Sequence, residues 1–291
     1  TPTFQNPLTV DIFDRFSIPN EGTANLYCEL LPYLNGSKLL NELHAKIITV
    51  LQSFDSLVNQ KKMANQYYTK SNGFIRKNKN ILFLDFNGVL SYNPFWASLK
   101  DSNHRLYVYY EKIETYLFKD NISIVIDWML GKYTAEEIHR ILEKEIGVPY
   151  DELFHIFRED CSNIDISEKI LKKIRDLREF YYCVLITDNM DSFDRFTLAH
   201  NPQLFASFDQ IDNSYTMKRF KKSDDGKYFI EQIEEQNAIV ENCILIDDSK
   251  NNCALFESIG GKSYITKTED HVLEVLNNIH NTVKHKWEWQ Y

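Results

Sequence analysis

Three short apolar runs, each ending on an acid or a hydroxyl, constrain this chain more than any other feature. Ile81-Leu82-Phe83-Leu84 stops at Asp85, with Asn87-Gly88 behind it as a tight-turn signal. Tyr182-Cys183-Val184-Leu185-Ile186 stops at Thr187-Asp188-Asn189, and Cys243-Ile244-Leu245-Ile246 stops at Asp247-Asp248-Ser249. A strand with one wet face alternates apolar and polar residues. A continuous β-rich run has both faces buried, as in a parallel sheet covered by helices. Helical patterns fill the intervals. Ser167 opens one with Ile170, Leu171, Ile174 and Leu177 on one face, residues 227–237 offer a second, and residues 269–285 supply a third with Val272, Val275, Leu276, Ile279 and Val283. Strand and helix alternate, so the expected fold is α/β, a doubly wound parallel sheet between helical layers.

The stretch between the first and second runs is far longer than one crossover helix needs. Within it, Thr134-Ala135-Glu136-Glu137 reads as a capping box, followed by Ile138, Ile141, Leu142 and Ile146 at helical spacing. Asp151 opens another helix with Leu153, Phe154 and Phe157, and residues 107–118 and 122–129 are rich in aromatic and apolar side chains. Residues 91–165 are therefore expected to form an all-helical cap, with residues 80–90 and 166–291 as the α/β core. Residues 1–79 form a separate helical extension in this reading. From Ser37, Leu40, Leu43, Ile47, Leu51, Phe54 and Val58 recur at intervals of three or four, which predicts a long amphipathic helix reaching about Tyr67. Its apolar stripe is a surface for packing, for a partner protein or for self-association. The polar, basic stretch 69–80 reads as a linker.

With 291 residues, 43% of them hydrophobic, the chain can bury a full core. The 42 acidic and 33 basic side chains leave a formal charge of -9, which argues against a broad cationic surface for duplex nucleic acid or anionic lipid. Cys28, Cys161, Cys183, Cys243 and Cys253 are odd in number and scattered, suggesting neither a disulfide framework nor a zinc site. No apolar run reaches the length that spans a bilayer, and the first residues carry no signal-peptide pattern, so the expected location is cytoplasmic.

In an open parallel sheet, ligands bind beyond the carboxyl ends of the strands. If the three runs are neighbours, Asp85, Thr187, Asp247 and Asp248 converge there. Such a carboxylate cluster repels itself unless a cation intervenes, and Mg2+ favours a few carboxylates together with phosphate. The basic run Lys218-Arg219-Phe220-Lys221-Lys222, between the second and third strands, offers positive charge to the same anion. Taken singly, each motif reads as a turn or a helix N-cap. Their order, each at the end of an apolar strand, is what singles them out.

Asp85-Phe86-Asn87-Gly88-Val89-Leu90 resembles the first motif, D-x-D-G-[TV]-L, of the haloacid dehalogenase-like superfamily. Thr187-Asp188-Asn189 resembles the second motif. Lys222-Ser223-Asp224 resembles the K-P-D form of the third, with Ser in place of Pro and Lys221 as an alternative register. Ile246-Asp247-Asp248-Ser249 with Asn252 resembles the acidic fourth motif, and the insertion at 91–165 is similar to the helical cap of one branch. The resemblance spans roughly residues 80–268. It implies a Rossmann-like three-layer core and a Mg2+-dependent phosphohydrolase. Asp85 would attack phosphorus and carry an aspartyl-phosphate. Thr187, Asp188 and Lys222 would bind the phosphoryl group, and Asp85, the carbonyl of Asn87, Asp247 and Asp248 would hold the metal.

Asn87 departs from the family pattern. The second Asp of the first motif protonates the leaving oxygen and later activates water, and an amide does neither. Three explanations stand side by side: an introduced substitution, adaptation to a leaving group that departs without a proton, or a silent relative that binds phosphate or a partner. Dehalogenation by Asp85 is a further enzyme reading, weakened by the paired Asp247 and Asp248, which that chemistry does not need.

Overall fold

The computed structural model describes residues 79–288, with side chains to residue 284. The expected helix from Ser37, the extension to which it belongs and Cys28 lie outside the described residues.

Five parallel strands form one sheet: β1 (Asn80–Leu84), β2 (Tyr181–Thr187), β3 (Gln210–Asn213), β4 (Ile244–Asp247) and β5 (Lys262–Ile265). Their order is β3-β2-β1-β4-β5, and every pairing is parallel. The three strands with acid or hydroxyl ends are thus adjacent, with β1 central. The chain runs outward from β1 through β2 to β3, then returns to start β4 on the other side of β1. That reversal leaves a crevice at the carboxyl ends of β1 and β4.

The burial explains why the strand sequences do not alternate. Leu82 and Leu84 of β1, Cys183 and Leu185 of β2, and Ile244 and Ile246 of β4 face one apolar cluster. Their neighbours Ile81, Phe83, Val184, Ile186, Cys243 and Leu245 face another. Eight longer helices accompany the sheet: α1 (Tyr107–Thr115), α2 (Ile122–Met129), α3 (Ala135–Ile146), α4 (Tyr150–Ser162), α5 (Glu168–Leu177), α6 (Lys227–Glu235), α7 (Lys250–Ser258) and α8 (Glu269–Glu288). α5 and α8 cover the first face through Ile170, Leu171, Ile174, Val272 and Leu276. α6 and α7 cover the second through Tyr228, Phe229 and Phe256.

Helices α1 to α4 fall in the stretch between β1 and β2 and pack around Trp96, Trp128, Phe157 and Leu142. The capping box at Thr134 is present: its hydroxyl accepts from Glu137 N at 3.3 Å, and its own N–H donates to Glu137 Oε2 at 2.8 Å. Ser167 caps α5 by accepting from Ile170 N. α4 starts at Tyr150, behind Pro149, one residue before the expected Asp151. Met190 and Phe196, which follow β2, belong to the same apolar cluster as these inserted helices. Helix and core therefore share side chains at this seam.

Two features of the sheet escaped the sequence reading. β3 reads Gln-Ile-Asp-Asn and β5 reads Lys-Ser-Tyr-Ile, and both are edge strands, half-buried or exposed along much of their length. Neither carries the apolar run that marks a central strand. The four described cysteines are free and buried. No described helix is long and apolar enough to cross a membrane.

Candidate active site

β1 delivers Asp85 directly into the crevice, and the backbone holds it there. Asp85 N donates to Ile246 O at 3.0 Å, which ties the end of β1 to β4. The chain then turns over Phe86, whose carbonyl accepts from Leu90 N at 2.8 Å. Gly88 adopts φ 75°, and a Cβ there would lie 2.8 Å from Asp248 Cγ. Only glycine lets this turn close onto the Asp248 carboxylate.

Lys221 is the cation of the site. Its ammonium lies 2.7 Å from Asp85 Oδ2 and 2.8 Å from Asp247 Oδ2, and the side chain is 1% exposed. Its backbone N–H donates to Asp188 Oδ1 at 3.0 Å. Burial by itself would lower the lysine pKa, but the carboxylates of Asp85, Asp247 and Asp188 push it up, so the group is charged. The Asp85 pKa is raised too, but from the opposite cause. Burial raises its pKa to about 7; Lys221 opposes that rise, while Asp247 and Asp188 add to it. Asp188 is also raised, chiefly by burial.

This geometry corrects the assignment of the motif lysine. Lys222, the expected phosphate ligand, is exposed. Lys221 is the side chain that reaches Asp85. The contact of its backbone with Asp188 fixes Lys221 beside the crevice, and the chain reverses sharply just downstream, where Asp224, Asp225 and Gly226 all take positive φ. Asp188 fastens the lysine loop, its carboxylate accepting from Lys221 N. Thr187 sits buried at the end of β2, one strand from Asp85.

The two adjacent acids of the fourth motif do different work. Asp247 is fully buried, and its oxygens accept from Lys221 Nζ, from Asn252 Nδ2 at 3.1 Å and from Ser249 N at 2.8 Å. Its lone pairs are largely spent on holding the site together. Asp248 keeps its side chain 42% exposed, with Lys267 3.9 Å from one oxygen. Asp85, Asp247 and Asp248 each offer an oxygen within 4.8 Å of the others.

These residues fit a hard divalent cation. The donors are all oxygen, as Mg2+ requires. Lys221 alone cannot balance Asp85, Asp188, Asp247 and Asp248, and Lys267 reaches only the last of them. The missing Cβ at Gly88 leaves the Asp248 carboxylate pressed against the turn that carries residue 87.

A five-stranded parallel sheet with this carboxylate cluster at its crossover point defines a doubly wound α/β protein of a recognisable kind: the chain has the haloacid dehalogenase-like fold. Its likeness is to solved structures. A HAD-family enzyme from Bacteroides thetaiotaomicron in a magnesium complex is 22% identical, with a TM-score of 0.51 over 66% of this chain and 94% of that one. The same enzyme with magnesium and inorganic phosphate gives 20% identity and a TM-score of 0.51 over 64% and 93%. A HAD-like family hydrolase from Porphyromonas gingivalis is 21% identical, with a TM-score of 0.49 over 65% and 91%. No family model matches the chain, and no curated protein does.

Sequence reasoning missed the residues that tie the inserted helices to the segment after β2. Asp191 is 1% exposed and accepts from Trp128 Nε1 at 2.7 Å, from Ala135 N at 3.1 Å and from Arg195 at 2.6 Å. Arg195 also pairs with Glu136. The acid lies four residues past Thr187, but nothing in the sequence marks its partners in α2 and α3.

Proposed function

We propose that the protein is a phosphohydrolase that uses Mg2+ and forms a phosphoryl-enzyme at Asp85. The observation that carries this reading is the division of labour around Lys221. One buried lysine bridges Asp85 and Asp247, while Asp248, packed against the turn at Gly88, stays partly exposed. An Asp85 oxygen, Asp248 and the main-chain carbonyl of Asn87 would hold the ion, whose charge offsets that of the phosphoryl oxygens. The magnesium and phosphate bound by the Bacteroides enzyme of like fold support the same choice of ligand.

In the first half-reaction an Asp85 oxygen forms a bond to phosphorus as the bond to the leaving oxygen breaks. That oxygen departs with the electron pair and takes up a proton. In the second, water attacks phosphorus, the acyl-phosphate bond breaks and Asp85 is regenerated. Lys221 fixes the Asp85 carboxylate and stabilises charge on the transferring group, and Thr187, at the end of the neighbouring strand, would bind it as well. Asn87 can neither give the first proton nor take the second. The reaction is therefore slow for alkyl phosphates and is favoured for leaving groups that depart as stable anions. Dehalogenation would leave Asp248 without a task.

The test is a phosphatase screen with Mg2+ on this protein and on Asn87→Asp. Release of phosphate, with an adduct on Asp85 in quenched samples, supports the reading. A folded Asn87→Asp protein that binds Mg2+ yet turns over no phosphate ester favours a silent phosphate- or partner-binding module.

A further inference from the structure

β5 ends at Ile265, and a short connection leads from it to Glu269, the first residue of α8. The connection leaves the carboxyl end of the sheet beside β4, where Asp247 and Ile265 are paired. Both of its ends are fixed. Thr266 is fully buried, and its N–H donates to Asp247 O at 3.1 Å. The Thr268 carbonyl accepts from Val272 N at 3.1 Å, and its hydroxyl accepts from His271 N at 3.3 Å. Lys267 stands between these anchors, so its backbone position is set by the fold although its side chain is 65% exposed.

The Lys267 ammonium donates to the main-chain carbonyl of Asp248 at 2.7 Å and lies 3.9 Å from Oδ2 of the same residue. That Oδ2 also faces the turn at Gly88, where a Cβ would lie 2.9 Å from it. Of the three acids whose oxygens gather within 4.8 Å, Asp248 is the one that Lys221 does not reach and Lys267 does. Glu269, two residues further on, is engaged elsewhere: it accepts from the Ser167 hydroxyl at 2.8 Å and has Lys169 at 3.7 Å.

We propose that Lys267 is a positioning residue for the metal, acting through Asp248 as a tethered competitor of Mg2+ that weakens the hold on the ion and makes it depend on salt. The inference rests on Asp248 being a metal ligand, as in the phosphohydrolase reading, and adds a control on metal loading. Two cations at one carboxylate repel each other. Because the lysine is exposed, the repulsion acts through solvent and is screened by salt. An exposed ion pair is also weak, so Lys267 yields Asp248 at little cost. Lys221 has no such part, since it is buried between Asp85 and Asp247.

Calorimetric titration of Mg2+ into the full chain and into Lys267→Met, Lys267→Arg and Lys262→Met tests the proposal. Lys262 is an exposed lysine at the other end of β5. Lys267→Met is expected to bind Mg2+ about five- to tenfold tighter at about 0.01 M ionic strength, and less than about twofold tighter at about 1 M. Lys267→Arg and Lys262→Met are expected to stay within about twofold of the unmodified protein at both. Unchanged or weaker binding in Lys267→Met overturns the proposal, as does a gain that survives high salt. An equal gain in Lys262→Met overturns it too, because the effect would then belong to net charge. A lower metal-free Tm in Lys267→Met without tighter Mg2+ binding marks a structural lysine and has the same force. None of these outcomes touches the phosphohydrolase reading, whereas failure of the unmodified protein to bind Mg2+ overturns both.

Discussion

Lys221 Nζ lies 2.7 Å from Asp85 Oδ2, and this pair organises the crevice between β1 and β4. The ammonium is buried among carboxylates that would otherwise repel one another, with Asp247 on its other side at 2.8 Å. Removing it leaves Asp85 and Asp247 facing each other without compensation. Lys221→Met is expected to lower stability by about 3 to 5 kcal/mol, the usual consequence of stranding a buried charge, and to remove phosphate binding. Lys222→Met, at an exposed position, should stay within about 0.5 kcal/mol. Urea midpoints of the two variants separate the assignments, and the reverse ranking would return the role to Lys222.

Metal binding should depend on Asp248 and much less on the side chain of Asn87. Saturating Mg2+ is expected to raise the Tm, by the equivalent of about 2.7 kcal/mol when its concentration is a hundredfold above Kd. Asp248→Ala should abolish that shift while leaving the metal-free Tm nearly unchanged, because this side chain is partly exposed. Asp247→Asn should lower the metal-free Tm, since it weakens a buried partner of Lys221. An unaltered Mg2+ response in Asp248→Ala would show that the ion, if bound, is held elsewhere.

Restoring a carboxyl group at residue 87 should accelerate turnover of alkyl phosphates by about 10² to 10⁴. Aryl and acyl phosphates should gain less in the first step, because their leaving groups need no proton. Rates for both classes, measured on this protein and on Asn87→Asp, give the comparison. A uniform gain across leaving groups would mean that residue 87 acts on the second step.

His139, in α3, should make the helices between β1 and β2 sensitive to acid. The ring is fully buried, its Nδ1 lies 2.6 Å from Ala135 O and its Nε2 accepts from Trp96 Nε1 at 3.2 Å. A proton on Nε2 would face the indole N–H, so the neutral ring is the one that fits. Burial, only partly opposed by Ala135 O and nearby acids, lowers its pKa from 6.5 to about 4. Above pH 6.5 both folded and unfolded chains hold a neutral ring and the residue exerts no pH effect. As pH falls from 6.5 toward 4 the unfolded chain takes up the proton first, and stability declines by about 3 kcal/mol in total. His139→Gln should remove that component of the slope, as read from urea midpoints between pH 7.5 and 4. An unchanged slope would place the acid sensitivity in other groups.

The central strands and the end residues were legible because burial on both faces leaves a strong sequence trace. Each of β1, β2 and β4 sends alternate side chains into the two clusters, so no polar residue interrupts them. Edge strands β3 and β5 have no such requirement, and their sequences, with Gln, Asp, Asn, Lys and Ser, look like loops. The helices between β1 and β2 were readable from the Thr134 capping box and apolar spacing. Their attachment was not, because Asp191 reaches Trp128 and Ala135 across long stretches of chain.

What the sequence by itself determined is local or periodic in origin: which segments are buried strands, which are amphipathic helices, and that Asp85, Thr187 and Asp247-Asp248 end strands. Strand order was the decision of the tertiary structure, and with it the meeting of those ends. Pairing β4 beside β1 placed Asp247 across from Asp85 and gave Lys221 two carboxylates to bridge. The choice between Lys221 and Lys222 could not be made from adjacent residues of the same type. It rests on tertiary contacts: Lys221 meets Asp85, Asp247 and Asp188 inside the crevice, while Lys222 is exposed. The unequal roles of Asp247 and Asp248 have the same origin: one meets Asn252 and Lys221 within the fold, while the other faces the turn that Gly88 allows.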